Sequence, residues 1–180
     1  TRNHAVETPY IKAVLQEWQL YLDLLPEKPV LRELHLGGGT PTFFSPESLH
    51  HLLSNILAGV ELADEYEFGF EAHPGSTTRA HLQTLYDLGF TRLRIGVQVF
   101  APESMQIINR HQTQEQVEEV THLAREIGYQ SINYDLIFGL PLQTPEHIRT
   151  NMKLLAELKP ERLAFYSYAH MPWIKPSQRA

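Results

Sequence analysis

The stretch HLGGGTP, at residues 35–41, decides how the rest of the chain is organised. It follows an apolar run, 30–36, that predicts a strand, and it precedes a helix predicted to begin near Pro46. Consecutive glycines expose the backbone and reach positive φ at little cost, so a ligand can approach the chain closely there. Three glycines fit a plain flexible loop equally well. The strands that follow therefore decide between a ligand loop and a mere connection.

Strands alternate with helices along the whole chain. The predicted strands end about 30 residues apart, which is the length of one βα unit, near Gly37, Glu71, Gln98, Asp135 and Tyr168. Helix-start signals, in which a capping residue precedes proline, fall between these strands. The order predicts an α/β fold with a parallel sheet of right-handed βαβ units, in a single domain covering residues 1–180.

Side chains on opposite sides of each predicted strand differ in polarity, because successive strand residues point to opposite faces. The apolar side is predicted to pack in the core, and it includes Phe68, Phe70, Tyr134, Leu163 and Phe165. The other side is small or polar. A sheet covered by helices on both faces would be apolar on both sides. A curled, barrel-like sheet with outer helices and a polar lumen fits this pattern, and a sheet with one solvated face is the alternative.

Composition limits the class of protein. The chain has 180 residues, 42% hydrophobic and 20% charged, which is typical of a globular domain with a real core. A net charge of −6 disfavours nucleic-acid binding, which needs a clustered basic surface. No apolar run approaches the ~20 residues of a membrane span, and the polar N-terminus lacks a signal peptide. The prediction is a cytoplasmic protein without membrane insertion.

Polar residues at the predicted strand ends indicate the chemistry, since ligands of parallel α/β folds bind at the carboxyl ends of strands. A carboxylate at Glu71 or Asp135 suits ribose hydroxyls or an amine, and Gln98 suits an amide-like edge. Arg110 suits an acidic group. These residues predict a zwitterionic, ribose-bearing ligand. The alternative interpretation pairs the two carboxylates structurally with Arg94 and makes Arg110 a surface or ion-pair residue.

Two histidines near the rim, His35 and His73, are predicted simply to be hydrogen-bonded. The ten histidines of the chain are scattered, and there is no cysteine. The prediction is therefore that this chain holds no metal site of its own.

Six short motifs occur in register along the chain. They are GGGTPT at 37–42, EAHP at 71–74, GVQVF at 96–100, NR at 109–110, DLIFGLPLQT at 135–144 and YAHMP at 168–172. Together they resemble the radical S-adenosylmethionine (SAM) enzymes of the oxygen-independent coproporphyrinogen III oxidase family, from about Pro9 onward. The last motif, taken with Gln178 and Arg179, is more similar to the oxidases than to their haem-chaperone relatives.

The resemblance implies a partial (β/α)₆ TIM-like barrel from which the first strand is missing. It implies that Gly38, Gly39 and Thr40 contact the methionyl portion of SAM and that Glu71 contacts the ribose. It places four residues around a second SAM or the substrate: Gln98, Arg110, Asp135 and Ala169. The implied reaction is oxidative decarboxylation of two propionates of coproporphyrinogen III to vinyl groups, initiated by reductive cleavage of SAM at a [4Fe–4S] cluster. The implied partners are a tetrapyrrole substrate and an electron donor.

The family's C-x-x-x-C-x-x-C cluster motif has no counterpart here, because the chain contains no cysteine. Three thiolates normally hold such a cluster. We therefore expect the chain to be a core fragment of a longer protein that carries the cluster loop, and to be inactive alone. A non-enzymatic haem-binding or haem-trafficking homologue remains the alternative function.

Overall fold

The computed structural model describes residues 3–174 and residue 178. Its strands are β1 Val30–Leu36, β2 Glu61–Ala72, β3 Phe90–Gln98, β4 Ser131–Phe138 and β5 Arg162–Ser167. Its α-helices are α1 Glu7–Leu24, α2 Pro46–Ala58, α3 Arg79–Asp87, α4 Pro102–Ile107, α5 Gln114–Ile127 and α6 Pro145–Leu158. Single 3₁₀ turns cover His4–Val6 and Pro41–Phe43.

All five strands are parallel and pair in chain order, β1-β2-β3-β4-β5. The sheet curls into a half-barrel with the helices outside, which confirms the predicted fold class. Each parallel neighbour is reached through a helical crossover, as the alternation predicted. The second strand begins at Glu61 and is 12 residues long. A register shift between Leu31 and Glu33 of β1 lets the first residues of β2 pair with the start of β1.

The apolar side of the sheet packs against the helices. Phe68, Phe70 and Tyr134 are fully buried there, as predicted, together with leucines and valines of α2, α3, α5 and α6. A buried hydroxyl pair, Thr121 Oγ1 and Tyr134 Oη at 2.5 Å, ties α5 to the centre of β4. The core therefore lies between sheet and helices, and the opposite face of the sheet is left for polar side chains.

The prediction that Leu163 and Phe165 belong to the core is wrong. They are 50% and 44% exposed, because β5 is an edge strand of the described sheet and pairs with β4 along one side. Phe165 contacts the ring of Phe138 at 5.0 Å between centroids, and Phe138 is itself 42% exposed. Strand alternation indicated the correct face for these residues but not whether a helix covers that face.

Candidate functional site

Six of the eight residues that the resemblance singled out line one cavity of about 170 Å³ at the carboxyl ends of the strands. They are Gly39, Thr40, Glu71, Gln98, Arg110 and Asp135. A wider cavity of about 800 Å³ adjoins it and shares Thr40, Gln98 and Arg110. We call the first the inner cavity and the second the rim cavity. Residues as far apart in sequence as Gly39 and Asp135 thus meet at one end of the sheet, as parallel strands require.

The other two predicted residues lie outside both cavity linings. Gly38 precedes the lining residues within the glycine loop, and Ala169 is exposed. The Ala169 carbonyl accepts a hydrogen bond from Gln178 Nε2 at 3.1 Å, and Gln178 Oε1 accepts one from the Met171 N–H at 2.6 Å. It is Tyr168, the neighbour of Ala169, that lines the rim cavity. Arg179 lies outside the described residues.

The glycine loop has the open backbone that its sequence predicted. Gly38 and Gly39 have φ of +70° and +62°, in the region that L side chains avoid. A Cβ added at either position would meet no heavy atom within 4 Å. The backbone of Gly38 and Gly39 therefore borders open space. Gly37 differs, since its added Cβ would lie 3.1 Å from the ring of His35.

A line of polar contacts crosses the lumen face of all five strands. Arg94 Nε donates to Asp135 Oδ2 at 2.6 Å, and Arg94 Nη2 donates to the Tyr166 hydroxyl at 2.9 Å. Glu71 Oε1 lies 3.8 Å from Arg94 Nη1 and 3.7 Å from His35 Nε2. We call these five residues the lumen belt. The hydrogen bond from Arg94 to Asp135 raises the pKa of the arginine, so the guanidinium stays charged.

The lumen belt bears on the alternative left open by the sequence. Arg94 does pair with Asp135 and approaches Glu71, as the structural interpretation predicted. Both carboxylates nevertheless line the inner cavity, and the Glu71 side chain is 36% exposed. Asp135 accepts hydrogen bonds at both oxygens, from Arg94 Nε and from Asn133 Nδ2 at 2.9 Å. The two interpretations are compatible for Glu71, whose half-exposed carboxylate only approaches Arg94, whereas Asp135 is held mainly by its protein partners.

Gln98 owes its position to an irregularity at the end of β3. The pairing of β3 with β4 shifts register between Gly96 and Gln98, and Gln98 has a φ of +66°. Bulges of this kind re-aim a side chain and occur beside active sites, and a positive φ is uncommon for a residue with a side chain. The side chain of Gln98 lines both cavities as a result.

Arg110 is half-buried and forms no ion pair within the described residues, contrary to the alternative interpretation of the sequence. Its Nε donates to Gln112 Oε1 at 2.8 Å and its Nη2 to the Gly96 carbonyl at 2.5 Å. Gln112 is itself buried and fixed by a 2.6 Å hydrogen bond to the Val97 carbonyl. Within residues 3–174 and 178, no carboxylate lies within 4 Å of the guanidinium. Burial lowers the pKa of Arg110, although nearby Asp135 opposes the shift.

A hydroxyl network joins the glycine loop to the turn that follows β2. Thr77 Oγ1 donates to Thr42 Oγ1 at 3.0 Å, and Thr42 Oγ1 lies 3.2 Å from Ser76 Oγ. Thr42 and Thr77 are buried. Two rim segments from neighbouring strands are thereby held as one unit. This network could not be predicted, because hydroxyl residues in loops follow no periodic pattern.

Replacing Thr42 by valine is expected to lower the free energy of unfolding by about 1 kcal/mol, since it removes a buried hydroxyl without changing the shape of the side chain. For a domain of this size the melting temperature should fall by about 2–4 °C. Thermal unfolding followed by circular dichroism measures the change. Thr150→Val, at an exposed position of α6, serves as the control. Equal melting temperatures for the two variants would argue against the network.

Sequence comparison identifies the family to which this architecture belongs. The profile of the Radical SAM superfamily matches residues 5–155, which is most of the chain. The chain belongs to the radical SAM superfamily. Its relatives include the oxygen-independent coproporphyrinogen III oxidases of Helicobacter pylori strain J99, at 40% identity over 171 residues, and Pseudomonas aeruginosa, at 36% over 174 residues. These matches cover 94% and 96% of the chain but 37% and 38% of the relatives.

Structural comparison agrees. Coproporphyrinogen III oxidase from Escherichia coli superposes with a TM-score of 0.92 at 36% identity, over 99% of this radical SAM chain and 41% of that one. A radical SAM methyltransferase from Kitasatospora setae shares the fold alone, with a TM-score of 0.62 and 18% identity over 77% of this chain. The chain thus spans about two fifths of the length of the oxidases that it resembles.

The two cofactors of the superfamily fit this chain differently. The inner cavity offers open backbone at Gly39, two carboxylates, an amide and a guanidinium, which together suit the ribose and amino-acid parts of SAM. A [4Fe–4S] cluster does not fit, because the 180 residues include no cysteine. The described residues also contain no cluster of three potential metal-ligating side chains. No helix in the described part of the chain is long and apolar enough to cross a membrane.

Proposed function

We propose that this chain is the SAM- and substrate-binding core of an oxygen-independent coproporphyrinogen III oxidase. The observation that carries the proposal is the inner cavity, where residues from four strand ends converge on one polar space. Its donors match SAM, and the identity of 36–40% to named oxidases supports this reaction over others of the superfamily. The substrate is then coproporphyrinogen III, which loses two propionate carboxyl groups.

Within this proposal each residue binds, orients or shields. Gly38, Gly39 and Thr40 receive the methionyl part of SAM, and Glu71 receives the ribose. Gln98, Arg110 and Asp135 face a second SAM or the substrate, and Ala169 is assigned to the same ligand by the resemblance, although it lies outside both cavity linings. Bound SAM supplies radical chemistry when a reduced cluster is present. The cysteine ligands of that cluster and the electron donor come from outside these 180 residues, so the isolated chain does not cleave SAM.

The test uses the complete polypeptide in which these residues occur, reconstituted anaerobically and supplied with SAM, a reductant and coproporphyrinogen III. The expected result is formation of protoporphyrinogen IX with release of two molecules of carbon dioxide, and Asp135→Asn should lower the rate at least tenfold. Thr150→Val, at a residue that lines neither the inner nor the rim cavity, should not. SAM cleavage without decarboxylation, combined with stoichiometric haem binding, would contradict the proposal and favour a haem-trafficking homologue. A cytoplasmic location belongs to the same proposal.

A further inference from the structure

The ring of His73 is held in one orientation at the rim. The His73 carbonyl accepts hydrogen bonds from the N–H groups of Ser76 and Thr77 at 3.0 and 3.1 Å, which fixes the backbone of the turn. The Gly75 N–H donates to His73 Nδ1 at 3.1 Å, which fixes the ring. A Cβ at Gly75 would lie 3.3 Å from the ring, so glycine gives the imidazole its room.

This geometry also fixes where the neutral ring carries its proton. Because Nδ1 accepts from Gly75, the proton lies on Nε2. His73 lines both the inner and the rim cavity, and within the described ranges Nε2 has no hydrogen-bond acceptor. The ring therefore brings one preorganised N–H donor to the space that the two cavities share.

The surroundings keep the ring neutral. Burial lowers the pKa of His73, and the positive charge of Arg110 lowers it further. Three other charged residues face the inner cavity, namely Glu71, Arg94 and Asp135, and His111 faces the rim cavity. Arg110 is the charged side chain that acts on His73 most directly. At neutral pH the site thus pairs a guanidinium with a neutral imidazole, and both offer donors only.

A ligand group that satisfies both donors must be an acceptor with more than one lone pair, and a carboxylate has this geometry and the complementary charge. We propose that His73 is a ligand-binding residue whose Nε2–H donates, together with Arg110, to a carboxylate of the bound ligand. This inference rests on the proposed function for the source of that carboxylate. It is either the α-carboxylate of SAM or a propionate of the tetrapyrrole.

Binding should be linked to protonation. A carboxylate on Arg110 neutralises the charge that depresses the pKa of His73, and it also accepts from the imidazolium. The pKa of His73 therefore rises on binding, and the protein takes up a proton as the ligand binds. An uncharged ligand in the same place would not produce this uptake.

The first measurement compares two variants by isothermal titration calorimetry at pH 7.5. His73→Asn keeps an acceptor near the Nδ1 position but loses the distal donor, whereas His73→Gln restores a donor near the Nε2 position. SAM and coproporphyrin III are titrated separately, with coproporphyrin III tetramethyl ester as the uncharged probe. We expect His73→Asn to weaken one carboxylate probe about tenfold, or ~1.4 kcal/mol, and His73→Gln to remain within about threefold. The probe that loses affinity identifies the source, and the ester should be unaffected.

The second measurement repeats the titration at a series of pH values below neutral, in buffers of different ionisation enthalpy. The protein without either substitution, here called the parent, should take up a proton when it binds the carboxylate probe, and neither variant should do so. Melting temperatures within a few degrees of the parent confirm that the variants fold. Parental affinity and proton uptake in His73→Asn would overturn this inference while leaving the proposed function intact. A parent chain that binds neither SAM nor coproporphyrin III would overturn both.

Discussion

Replacing Gly96 by alanine is expected to weaken SAM binding at least tenfold while changing the stability of the fold very little. An added Cβ at this position would lie 2.8 Å from Arg110 Nη2 and 3.2 Å from Gln98 Nε2. Both neighbours are the ends of long side chains and can move aside, so the cost to folding is small. The movement breaks the hydrogen bond from Arg110 to the Gly96 carbonyl and displaces two cavity residues together.

Calorimetric titration with SAM measures this effect, and Gly69→Ala provides the control. Gly69 lies on the same lumen face in β2, but its added Cβ would meet Arg92 at an ordinary 3.4 Å. Gly69→Ala should therefore bind SAM as the parent does. The melting temperature of Gly96→Ala should stay within about 4 °C of the parent, which corresponds to roughly 1 kcal/mol for a domain of this size. Parental SAM affinity in Gly96→Ala would refute the role given to Arg110 and Gln98.

Replacing Phe70 by alanine is expected to lower the free energy of unfolding by about 3–5 kcal/mol, the usual cost of removing a fully buried phenylalanine. Phe70 lies on the interior strand β2 and is 0% exposed, with ring contacts to Phe90 and Tyr129. Few neighbours can move to fill the space that its ring leaves, since the strands on either side are themselves paired.

Urea titration of Phe70→Ala and of a second variant, Phe165→Ala, separates the effect of burial from the effect of losing a phenylalanine ring. Phe165→Ala, on edge strand β5, removes a ring that is 44% exposed and should cost about 1 kcal/mol. An equal loss at both positions would mean that the described sheet edge is covered in solution. A loss below about 2 kcal/mol at Phe70 would contradict its central place in the core.

Much of this architecture could be predicted from the sequence because it depends on local periodicity. The boundaries of β1, the positions of the strand ends, the parallel order and the polar lumen all follow from alternation and spacing. The strand-end residues Glu71, Gln98 and Asp135 follow from the same rule, since parallel strands bring their carboxyl ends to one edge.

The features that escaped prediction depend on contacts between distant segments. The support of Arg110 by Gln112 and Gly96 joins a loop to a strand end, and no spacing rule links these positions. The ring orientation of His73 depends on one backbone N–H two residues away. The exposure of Phe165 depends on which neighbours surround the edge strand, which alternation within that strand does not encode.

The balance of charge around the inner cavity affects how a charged ligand reaches that cavity. The charged side chains lining it are Glu71, Asp135, Arg94 and Arg110, so two negative and two positive charges cancel. A cavity with no net charge exerts little long-range steering on an approaching ion. The chain's overall charge of −6 resides elsewhere and is screened within about 10 Å at ordinary salt. Charged ligands are therefore distinguished by their direct contacts inside the cavity and not by long-range attraction. The rate of ligand binding should accordingly be nearly independent of ionic strength.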